Sequence, residues 1–509
     1  MNYTKNCIIV VLEQGNSVQA LTYFILLDKF KLFMNKNFIK GEWVEAESGN
    51  TYQVLNPATE RVIKVVPFGD AADAHAAIDA AAAAFPSWKA TNAWARADIL
   101  KKTADLMRAR AKELGKITTA EAGKPFAEAV GEWVVAAQFF EWFAEEGKRA
   151  YGRTIATSRN NKRMSVISQP VGVVGIITAW NFPVWNVARV WAASLAAGCT
   201  FVAKPSEYTP LTAMALMGLL EEAGLPAGVG NLVLGEAESI GNALLERPEV
   251  RKMHFVGSTR VGKILMNGAS KTNTKLSLEL GGNAPCLVFD DVDVERFAKS
   301  AALAKSRNCG QVCVSPQRFI VHRSIYARFC EQVAESMAKF VIGNGAESGT
   351  QIGPLINKNQ QKMVAGIVQE SVKAGAKLLT GGKVPPQYAE GFYYEPTVLA
   401  DVDRENPIFR REIFGPVLSI TPFDTMEEAI NLANDTEYGL AAYLWTNNLK
   451  TSIKVSEALE FGIVGINEWA AHAIEAPFGG WKQSGLGYEC GEEGLHEYLE
   501  KKLIAIGDL

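Results

Sequence analysis

Two cysteines mark the part of this sequence that is best suited to covalent chemistry. Cys309 and Cys313 lie in residues 307–313 (RNCGQVC), which follow a helical pattern and enter a glycine-containing turn. A thiol that such a turn presents to a cleft becomes a nucleophile when nearby dipoles or cations lower its pKa. A buried cysteine that only fills space is the commoner alternative. The segment by itself therefore decides neither whether a thiol reacts nor which one.

A carboxylate and an amide are the next candidates. Glu279 stands between leucines in residues 278–283 (LELGGN), where burial would raise its pKa toward neutrality and suit it to activate water. The alternative is an edge-strand glutamate that reaches solvent. Asn181, in residues 180–183 (WNFP) at the end of a predicted strand, is able to donate to an oxyanion. An aromatic, proline-containing turn is the alternative for that segment.

A third set of residues has the features of a phosphate-binding turn. Residues 254–262 (HFVGSTRVG) predict a strand, a tight turn at Gly257 and Ser258, and a helix start whose free N–H groups suit a pyrophosphate. The middle glycine of the usual G-x-G-x-x-G pattern is absent, so a plain strand–helix turn is equally compatible. Lys204 and Glu207 follow another predicted strand and offer a cation and an anion to ribose hydroxyls, unless they belong to a solvated loop.

The surrounding elements have to position these residues. Helical patterns at 71–111 and 126–148 precede a region in which helices alternate with β-rich runs at 171–178, 200–203, 231–234, 253–256 and 284–289. This alternation predicts a parallel sheet covered by helices. Thr209, Pro210 and Gly224 predict the two ends of one such helix. A second alternating block at 318–467 completes two α/β units around a cleft, where the carboxyl ends of strands gather ligands.

Composition excludes several classes of protein. The chain has 509 residues, 48% hydrophobic and 21% charged, which is typical of a globular enzyme with more than one domain. Its net charge of -3 gives no general attraction for nucleic acid or a membrane surface, so a small molecule is the expected partner. Cysteine and histidine spacing predicts no disulfide framework, no metal site and a reducing compartment, the cytoplasm. Residues 1–33 hold no run that spans a bilayer and are expected to form a poorly ordered extension.

From Met34 onward, the order of these motifs resembles the aldehyde dehydrogenase superfamily. Two further blocks carry the resemblance, residues 412–416 (EIFGP) and 477–485 (PFGGWKQSG). The resemblance implies an α/β fold of three parts, which assemble into a homodimer or homotetramer. These are a Rossmann-like NAD-binding domain (residues 34–150 and 171–281), an α/β catalytic domain (282–485) and a small β oligomerisation element (151–170 and 486–509).

The resemblance also implies chemical roles. Cys313 takes the place of the family's nucleophile, two residues after Gln311 in its Gly-Gln-x-Cys motif, whereas Cys309 does not. Glu279 becomes the general base, and Asn181 with the Cys313 backbone N–H becomes the oxyanion hole. The expected reaction forms a hemithioacetal, transfers hydride to NAD, and leaves a thioester that water hydrolyses. A CoA-acylating dehydrogenase, which usually lacks this base, and a non-catalytic binding protein are the rivals.

The implied cofactor contacts follow from the same comparison. Lys204 and Glu207 would hold the adenosine ribose, and Ser258 would hold the pyrophosphate. Glu412 and Phe414 would contact the nicotinamide end. Trp180 and Gly257 are also expected to bind the cofactor. A carboxylate at Glu207 would repel the 2′-phosphate of NADP, which favours NAD. Arg411 departs from the family pattern, which usually has a second acid at that position.

Two arginines bear on the substrate. Arg307 lies six residues before Cys313 and Arg189 lies eight after Asn181, offsets that resemble succinate-semialdehyde dehydrogenases, where arginines bind the distal carboxylate. The alternative is that each arginine pairs with an acidic neighbour. Where those enzymes have a serine, this chain has Ala473, preceded by His472. Succinate semialdehyde is therefore the predicted substrate, with lactaldehyde, a longer semialdehyde or a broad range of aldehydes as alternatives.

A redox switch is not expected from the resemblance. Some semialdehyde enzymes carry a second cysteine two residues after the nucleophile, and this chain has Ser315 there. Cys309 remains a possible disulfide partner for Cys313 only if the loop bends.

Overall fold

The computed structural model describes residues 36–508, so the prediction for residues 1–33 lies outside the described part. The strands are β1 (Asn37–Ile39), β2 (Glu42–Val44), β3 (Thr51–Leu55), β4 (Val62–Pro67), β5 (Arg153–Ile155), β6 (Arg163–Pro170), β7 (Val173–Thr178), β8 (Thr200–Pro205), β9 (Gly230–Leu232), β10 (Val250–Val256), β11 (Lys275–Glu279), β12 (Ala284–Val288), β13 (Pro316–His322), β14 (Lys377–Thr380), β15 (Thr397–Ala400), β16 (Val417–Phe423), β17 (Tyr438–Gly439), β18 (Ala441–Trp445), β19 (Ile463–Ile466), β20 (Trp481–Lys482), β21 (Gly485–Leu486) and β22 (Leu499–Ile506).

The helices alternate with these strands. They are α1 (Ala71–Ala90), α2 (Ala93–Ala109), α3 (Ala111–Ala122), α4 (Phe126–Glu146), α5 (Pro183–Ala197), α6 (Pro210–Ala223), α7 (Ala237–Glu246), α8 (Thr259–Ala269), α9 (Val294–Ser306), α10 (Arg323–Ala338), α11 (Lys358–Lys373), α12 (Pro407–Arg410), α13 (Met426–Asn434), α14 (Leu449–Ala458) and α15 (Gly491–His496), with short 3-10 turns at Gly147–Arg149 and Arg307–Gly310. No helix within residues 36–508 is both long and apolar enough to cross a membrane.

Two large sheets organise the chain. One has the strand order β2-β1-β9-β8-β7-β10-β11-β21, and the other has the order β14-β15-β16-β13-β12-β18-β19. Strands β7, β8, β10 and β11 run parallel, and every residue of β7 and β8 is buried because helices cover both faces of the sheet. The predicted alternating α/β architecture is confirmed.

Local signals set several element ends. The helical region predicted at 71–111 is two helices, because the Asn92 side chain accepts the backbone N–H groups of Trp94 and Ala95 and starts α2. Pro210 is the first residue of α6, and Gly224 ends α6 in the left-handed conformation with φ of 99°. Thr209 occupies the predicted N-cap position but makes no side-chain cap; its hydroxyl donates to the Trp180 carbonyl at 3.4 Å.

A third sheet joins two distant segments. Strand β22 pairs antiparallel with β6 over eight residues, from Leu499 opposite Pro170 to Ile506 opposite Arg163, and β5 completes the sheet. These are the two segments assigned by resemblance to oligomerisation. The short strand β21 instead adds to the first sheet beside β11, so the chain returns to that sheet at Gly485. The three-domain division stays a prediction.

The sheets bring the chemical candidates to one place. Four neighbouring strands end beside the residues singled out above: β7 before Asn181, β8 before Glu207, β10 before Gly257, and β11 at Glu279. The second sheet contributes Cys313, which lies in the turn between α9 and β13. Parallel strands present their carboxyl ends at one edge, which is why residues far apart in sequence share a cleft.

Candidate active site

The turn before Cys313 has an unusual backbone. Asn308, Cys309 and Gly310 are all left-handed, with φ values of 48°, 55° and 71°. Gly310 is required there, because a Cβ would lie 2.1 Å from the Gly415 carbonyl oxygen. Left-handed backbone costs a non-glycine residue about 1–2 kcal/mol, so hydrogen bonds have to hold the turn. Glu128 supplies one by accepting the Asn308 N–H at 2.9 Å.

This turn sends the two thiols into different surroundings. Cys309 is buried in an apolar cluster with Ile352 and Val364, and burial raises its pKa. Cys313 is half-buried and lines the cleft. Cys309 therefore fits the space-filling alternative, and Cys313 is the thiol that a substrate can reach.

The surroundings of Cys313 do not lower its pKa. Burial raises its pKa well above the usual range, and the neighbouring Glu279 carboxyl raises it further. Arg189 acts in the opposite direction without reversing the shift. The thiol therefore needs a base that removes its proton, and Glu279 interacts with it through a hydrogen bond.

Glu279 is placed to be that base. It ends β11, an interior strand between β10 and β21, and only 4% of it is exposed, so the edge-strand alternative is wrong. Burial raises its pKa to about 8, in the predicted direction, while Arg189 opposes the shift. Its Oε1 atom is buried and has no hydrogen-bond partner among residues 36–508. A buried acceptor without a partner is suited to hold a water molecule.

Asn181 is held from both sides. Its side-chain Nδ2 donates to the Gln311 carbonyl at 3.2 Å, and its Oδ1 accepts from Asn186 at 3.1 Å. Its backbone carbonyl accepts Lys124 Nζ and Asn308 Nδ2, each at 2.8 Å. Lys124 is itself buried and lies 2.6 Å from a Glu132 oxygen. Sequence reasoning missed Lys124 and Glu132, because nothing near Asn181 in sequence points to them.

Two cavities meet at Cys313. Both include Asn181, Val256, Glu279 and Cys313 in their walls. The first has a volume of about 410 Å³, and its other lining residues are Phe182, Trp185, Asn186, Arg189, Arg307, Val312, Val314, His472 and Phe478. The second has a volume of about 760 Å³, and its other lining residues are Ala179, Trp180, Gly257, Ser258, Leu280, Gly281, Gln360, Met363, Glu412 and Phe414. The thiol and the carboxyl thus separate two binding regions.

The first cavity contains one cation that forms no salt bridge among residues 36–508. Arg307 lies 5.1 Å over the Phe182 ring and 5.9 Å over Trp185. The only carboxyl among residues 36–508 on which its charge is seen to act is Glu128, whose pKa burial raises and Arg307 acts to lower without forming a salt bridge. Arg189 forms a 2.8 Å ion pair with Glu489 and donates to Asn186. For Arg189, the alternative of an acidic partner is the correct one, although the side chain still lines the cavity.

The remaining substrate candidates differ in position. His472 lies in the wall of the first cavity, and burial with the two arginines lowers its pKa to about 4, so the imidazole is neutral. Ala473 is not among the residues that line this cavity. A ligand there would meet an aromatic wall, a neutral imidazole and one free guanidinium.

The second cavity fits a dinucleotide cofactor. Ser258 caps α8 and leaves backbone N–H groups at a helix start, which suits a pyrophosphate. A Cβ on Gly281 would lie 2.7 Å from a Glu412 oxygen, so glycine keeps this wall open. Glu412 accepts the Gly282 N–H at 3.0 Å, and Phe414 packs edge-on against Trp180.

Two predicted cofactor residues lie outside this cavity. Lys204 and Glu207 form a 3.0 Å ion pair at the end of β8, and Glu207 lines a neighbouring groove with Tyr52 and Pro205. Arg411, where the family usually has an acid, lies 2.9 Å from Glu370 near the surface. The part of the chain that the structure describes contains no group of three or more His, Cys, Asp or Glu side chains that could hold a metal ion.

Known proteins resemble the whole chain. The family model described as "Aldehyde dehydrogenase family" matches residues 43–504. A mitochondrial succinate-semialdehyde dehydrogenase of Oryza sativa is 44% identical over 98% of this chain and 94% of its own length. An NADP(+) succinate-semialdehyde dehydrogenase of Escherichia coli is also 44% identical, over 94% of this chain and 99% of its own.

A solved structure shows the same fold. The crystal structure of a betaine aldehyde dehydrogenase point mutant from Staphylococcus aureus, in complex with NAD+, superposes with a TM-score of 0.93. It is 34% identical and covers 95% of this chain and 98% of its own. The family match, the relatives and the arrangement around Cys313 agree, and the chain belongs to the aldehyde dehydrogenase family.

Proposed function

We propose that this enzyme oxidises succinate semialdehyde to succinate with NAD, through a thioester on Cys313. The observation that carries the proposal is the Arg307 guanidinium, which forms no salt bridge among residues 36–508 and lines a cavity that ends at Cys313 and Glu279. A planar guanidinium matches a carboxylate, so an aldehyde that carries a distal carboxylate would be oriented with its carbonyl toward the thiol. Production of NADH with succinic semialdehyde, glutaric semialdehyde, lactaldehyde and propanal tests the proposal directly.

The first chemical step follows from the Cys313–Glu279 pair. Glu279 takes the thiol proton, and the Cys313 sulfur adds to the carbonyl carbon, which turns the carbonyl oxygen into an oxyanion. The Asn181 Nδ2 and the Cys313 backbone N–H are the donors for that oxyanion. When bound in the second cavity, NAD supplies the acceptor for the hydride that leaves the same carbon. A thioester on Cys313 remains.

Hydrolysis needs Glu279 again, after its carboxyl has released the thiol proton to solvent. Its carboxylate removes a proton from a water molecule, the hydroxide oxygen bonds to the acyl carbon, and the carbon–sulfur bond breaks. The acid product leaves and Cys313 regains its sulfur electron pair. The buried, unpartnered Oε1 of Glu279 favours this route over transfer of the acyl group to CoA. It also argues against a binding protein without turnover.

Removal of Arg307 should act on acidic aldehydes alone. The Arg307→Ala variant is expected to raise KM for succinic semialdehyde by about 10- to 100-fold, because a hydrogen-bonded charge contact is worth about 1.5–3 kcal/mol. Propanal carries no carboxylate and serves as the control in the same enzyme, with KM changed less than about threefold. Steady-state kinetics measure both constants. Equal effects on the two aldehydes would show that Arg307 is not the carboxylate ligand.

The proposal of NAD rests on Glu207. The relatives do not decide the cofactor, since the E. coli protein is named for NADP(+) and the S. aureus structure holds NAD+. Lys204, Glu207 and Ser258 are proposed to hold the ribose and the pyrophosphate, and Trp180, Gly257, Glu412 and Phe414 to line the remainder of the site. A carboxylate beside the ribose would repel a 2′-phosphate.

Neutralising Glu207 should therefore change cofactor choice. The Glu207→Gln variant is expected to raise the ratio of kcat/KM for NADP to that for NAD by about tenfold or more, because the like-charge repulsion is removed. Glu238→Gln, the same change at an exposed carboxylate on α7, should leave the ratio unchanged. A wild-type enzyme that uses both cofactors equally well would contradict the argument.

We further propose that the small sheet assembles the oligomer in a reducing compartment. Strand β22 exposes Leu503, Ile504 and Ile506, an apolar surface that a second copy would cover in a homodimer or homotetramer. The described cysteines are all free thiols, which fits the cytoplasm.

A further inference from the structure

Behind the first cavity lies a row of buried polar side chains that the reaction itself does not use. Tyr498 lies 3.1 Å from His254 Nδ1, and His254 Nε2 lies 2.5 Å from Glu489 Oε1. The row continues through the Glu489–Arg189 ion pair and the Arg189–Asn186 contact to the 3.1 Å bond from Asn186 to Asn181. Each side chain is at most 6% exposed, so water does not complete these bonds from outside.

The direction of every hydrogen bond in this row is fixed by chemistry, and the Asn186 NH₂ group also donates to the Ala179 carbonyl at 3.4 Å. Arginine only donates, so the Asn186 oxygen has to face Arg189 and the Asn186 NH₂ group has to face Asn181. Asn181 must then present its own oxygen to Asn186. Its NH₂ group is thereby turned the other way, with one hydrogen on the Gln311 carbonyl and the second left over.

The other end of the row, formed by Tyr498, His254 and Glu489, holds the Arg189 guanidinium in position. Burial acts to raise the pKa of Glu489, but Arg189 and the contact with His254 outweigh it and hold the pKa below its usual range, so Glu489 is ionised and only accepts. Burial lowers the pKa of His254 by more than the neighbouring Glu489 raises it, so the ring is neutral. A neutral ring that donates Nε2–H to Glu489 accepts at Nδ1, which requires the Tyr498 hydroxyl to donate.

We propose that Tyr498, His254, Glu489, Arg189 and Asn186 form a directional row of hydrogen bonds and one ion pair that keeps the N–H side of the Asn181 amide turned toward Cys313. The proposal rests on the proposed function, because that function makes Asn181 a hydrogen-bond donor to the oxyanion. These five are positioning residues, because they act on the reacting atoms through Asn181. Arg189, predicted from sequence to bind substrate, acquires a second role as the link that sets the orientation of both amides.

The decisive variant is Asn186→Asp. An ionised aspartate at this position still accepts from Arg189 but has no hydrogen for Asn181, so it favours an Asn181 amide turned with its oxygen toward the cavity. Loss of one oxyanion donor typically costs about 100- to 1,000-fold, so kcat should fall by about 100-fold or more for succinic semialdehyde and propanal alike. Tyr498→Phe removes one hydroxyl at the far end, and we expect a smaller fall of about three- to tenfold.

Two controls separate positioning from folding. Asn231→Asp makes the same change at a fully buried amide in the first sheet and should leave kcat within about threefold. Alkylation of Cys313 by iodoacetamide creates no oxyanion, so its rate in Asn186→Asp should also stay within about threefold. A fall in alkylation that matches the fall in kcat would overturn the proposal, as would an unchanged kcat. If Asn186→Asp does not fold, an unchanged kcat in Tyr498→Phe overturns it.

A measurement without cofactor keeps this test separate from the proposed function. Propanal that forms a hemithioacetal protects Cys313 from iodoacetamide, and mass spectrometry of the Cys313 peptide follows the protection. Wild-type protein that produces no NADH would contradict the proposed function alone. The positioning proposal is supported if the Asn186→Asp variant needs about 100-fold more propanal than wild type for equal protection of Cys313. It is overturned if Cys313 is protected equally in the two proteins or is protected in neither.

Discussion

Replacement of Cys313 with alanine is expected to lower kcat for aldehyde oxidation by about 10⁴-fold or more. Cys313 is the only thiol among the described residues that line the two cavities, so none of the other thiols within residues 36–508 is placed to hold the acyl group. The loss should be the same for acidic and uncharged aldehydes, because it removes the bond-forming atom and leaves Arg307 intact. NADH formation measures the rate, and intact-protein mass spectrometry should find no acyl adduct.

Cys309→Ala is the matched control for this variant. The two thiols are four residues apart, but Cys309 packs into the cluster around Ile352 and Val364 and does not line either cavity. Its removal should cost about 1 kcal/mol of unfolding free energy and leave kcat within about threefold. Loss of turnover in Cys309→Ala with activity retained in Cys313→Ala would reverse the assignment of the nucleophile.

Glu279→Gln should separate the two halves of the reaction. The substitution keeps the shape of the side chain and removes the base, which we expect to lower kcat by about 10²- to 10⁴-fold. Hydrolysis should suffer most, because water is a poorer nucleophile than a thiol, so the acyl-enzyme should accumulate as a stable mass adduct. An inactive variant that forms no adduct would instead limit Glu279 to deprotonation of Cys313.

The pH dependence of kcat in the wild-type enzyme is an independent test of Glu279 as the base. A base acts when it is deprotonated, and burial raises the pKa of Glu279 to about 8, so kcat should rise as pH increases through 8 and then level off. This rise of kcat with pH, the basic limb of the profile, should be absent in the Glu279→Gln variant. Glu121 is another buried glutamate whose pKa burial raises to about 8, but its carboxylate accepts the backbone N–H groups of Leu211 and Thr212. The Glu121→Gln variant should therefore keep the limb, and a limb missing there would detach it from Glu279.

The two arginines differ in a property that their spacing in the sequence cannot reveal, the presence of a salt-bridge partner. Arg307 and Arg189 had equal standing as carboxylate ligands, because both had the expected spacing in sequence. Among residues 36–508, the structure leaves Arg307 without a salt bridge and pairs Arg189 with Glu489, a residue far along the chain. Charge compensation by a distant side chain is a tertiary property, so sequence spacing could not distinguish the two arginines.

The sequence by itself determined the alternating α/β architecture, because buried parallel strands need continuous apolar runs and their helices need recognisable ends. Local patterns at strand ends and turns also marked Glu279, Asn181 and the two cysteines as candidates, and the family resemblance selected Cys313 over Cys309. Only the tertiary structure decided how these groups are tuned. The raised pKa of Cys313 and the orientation of the Asn181 amide depend on burial and on partners from other elements, and neither is written in the residues beside them.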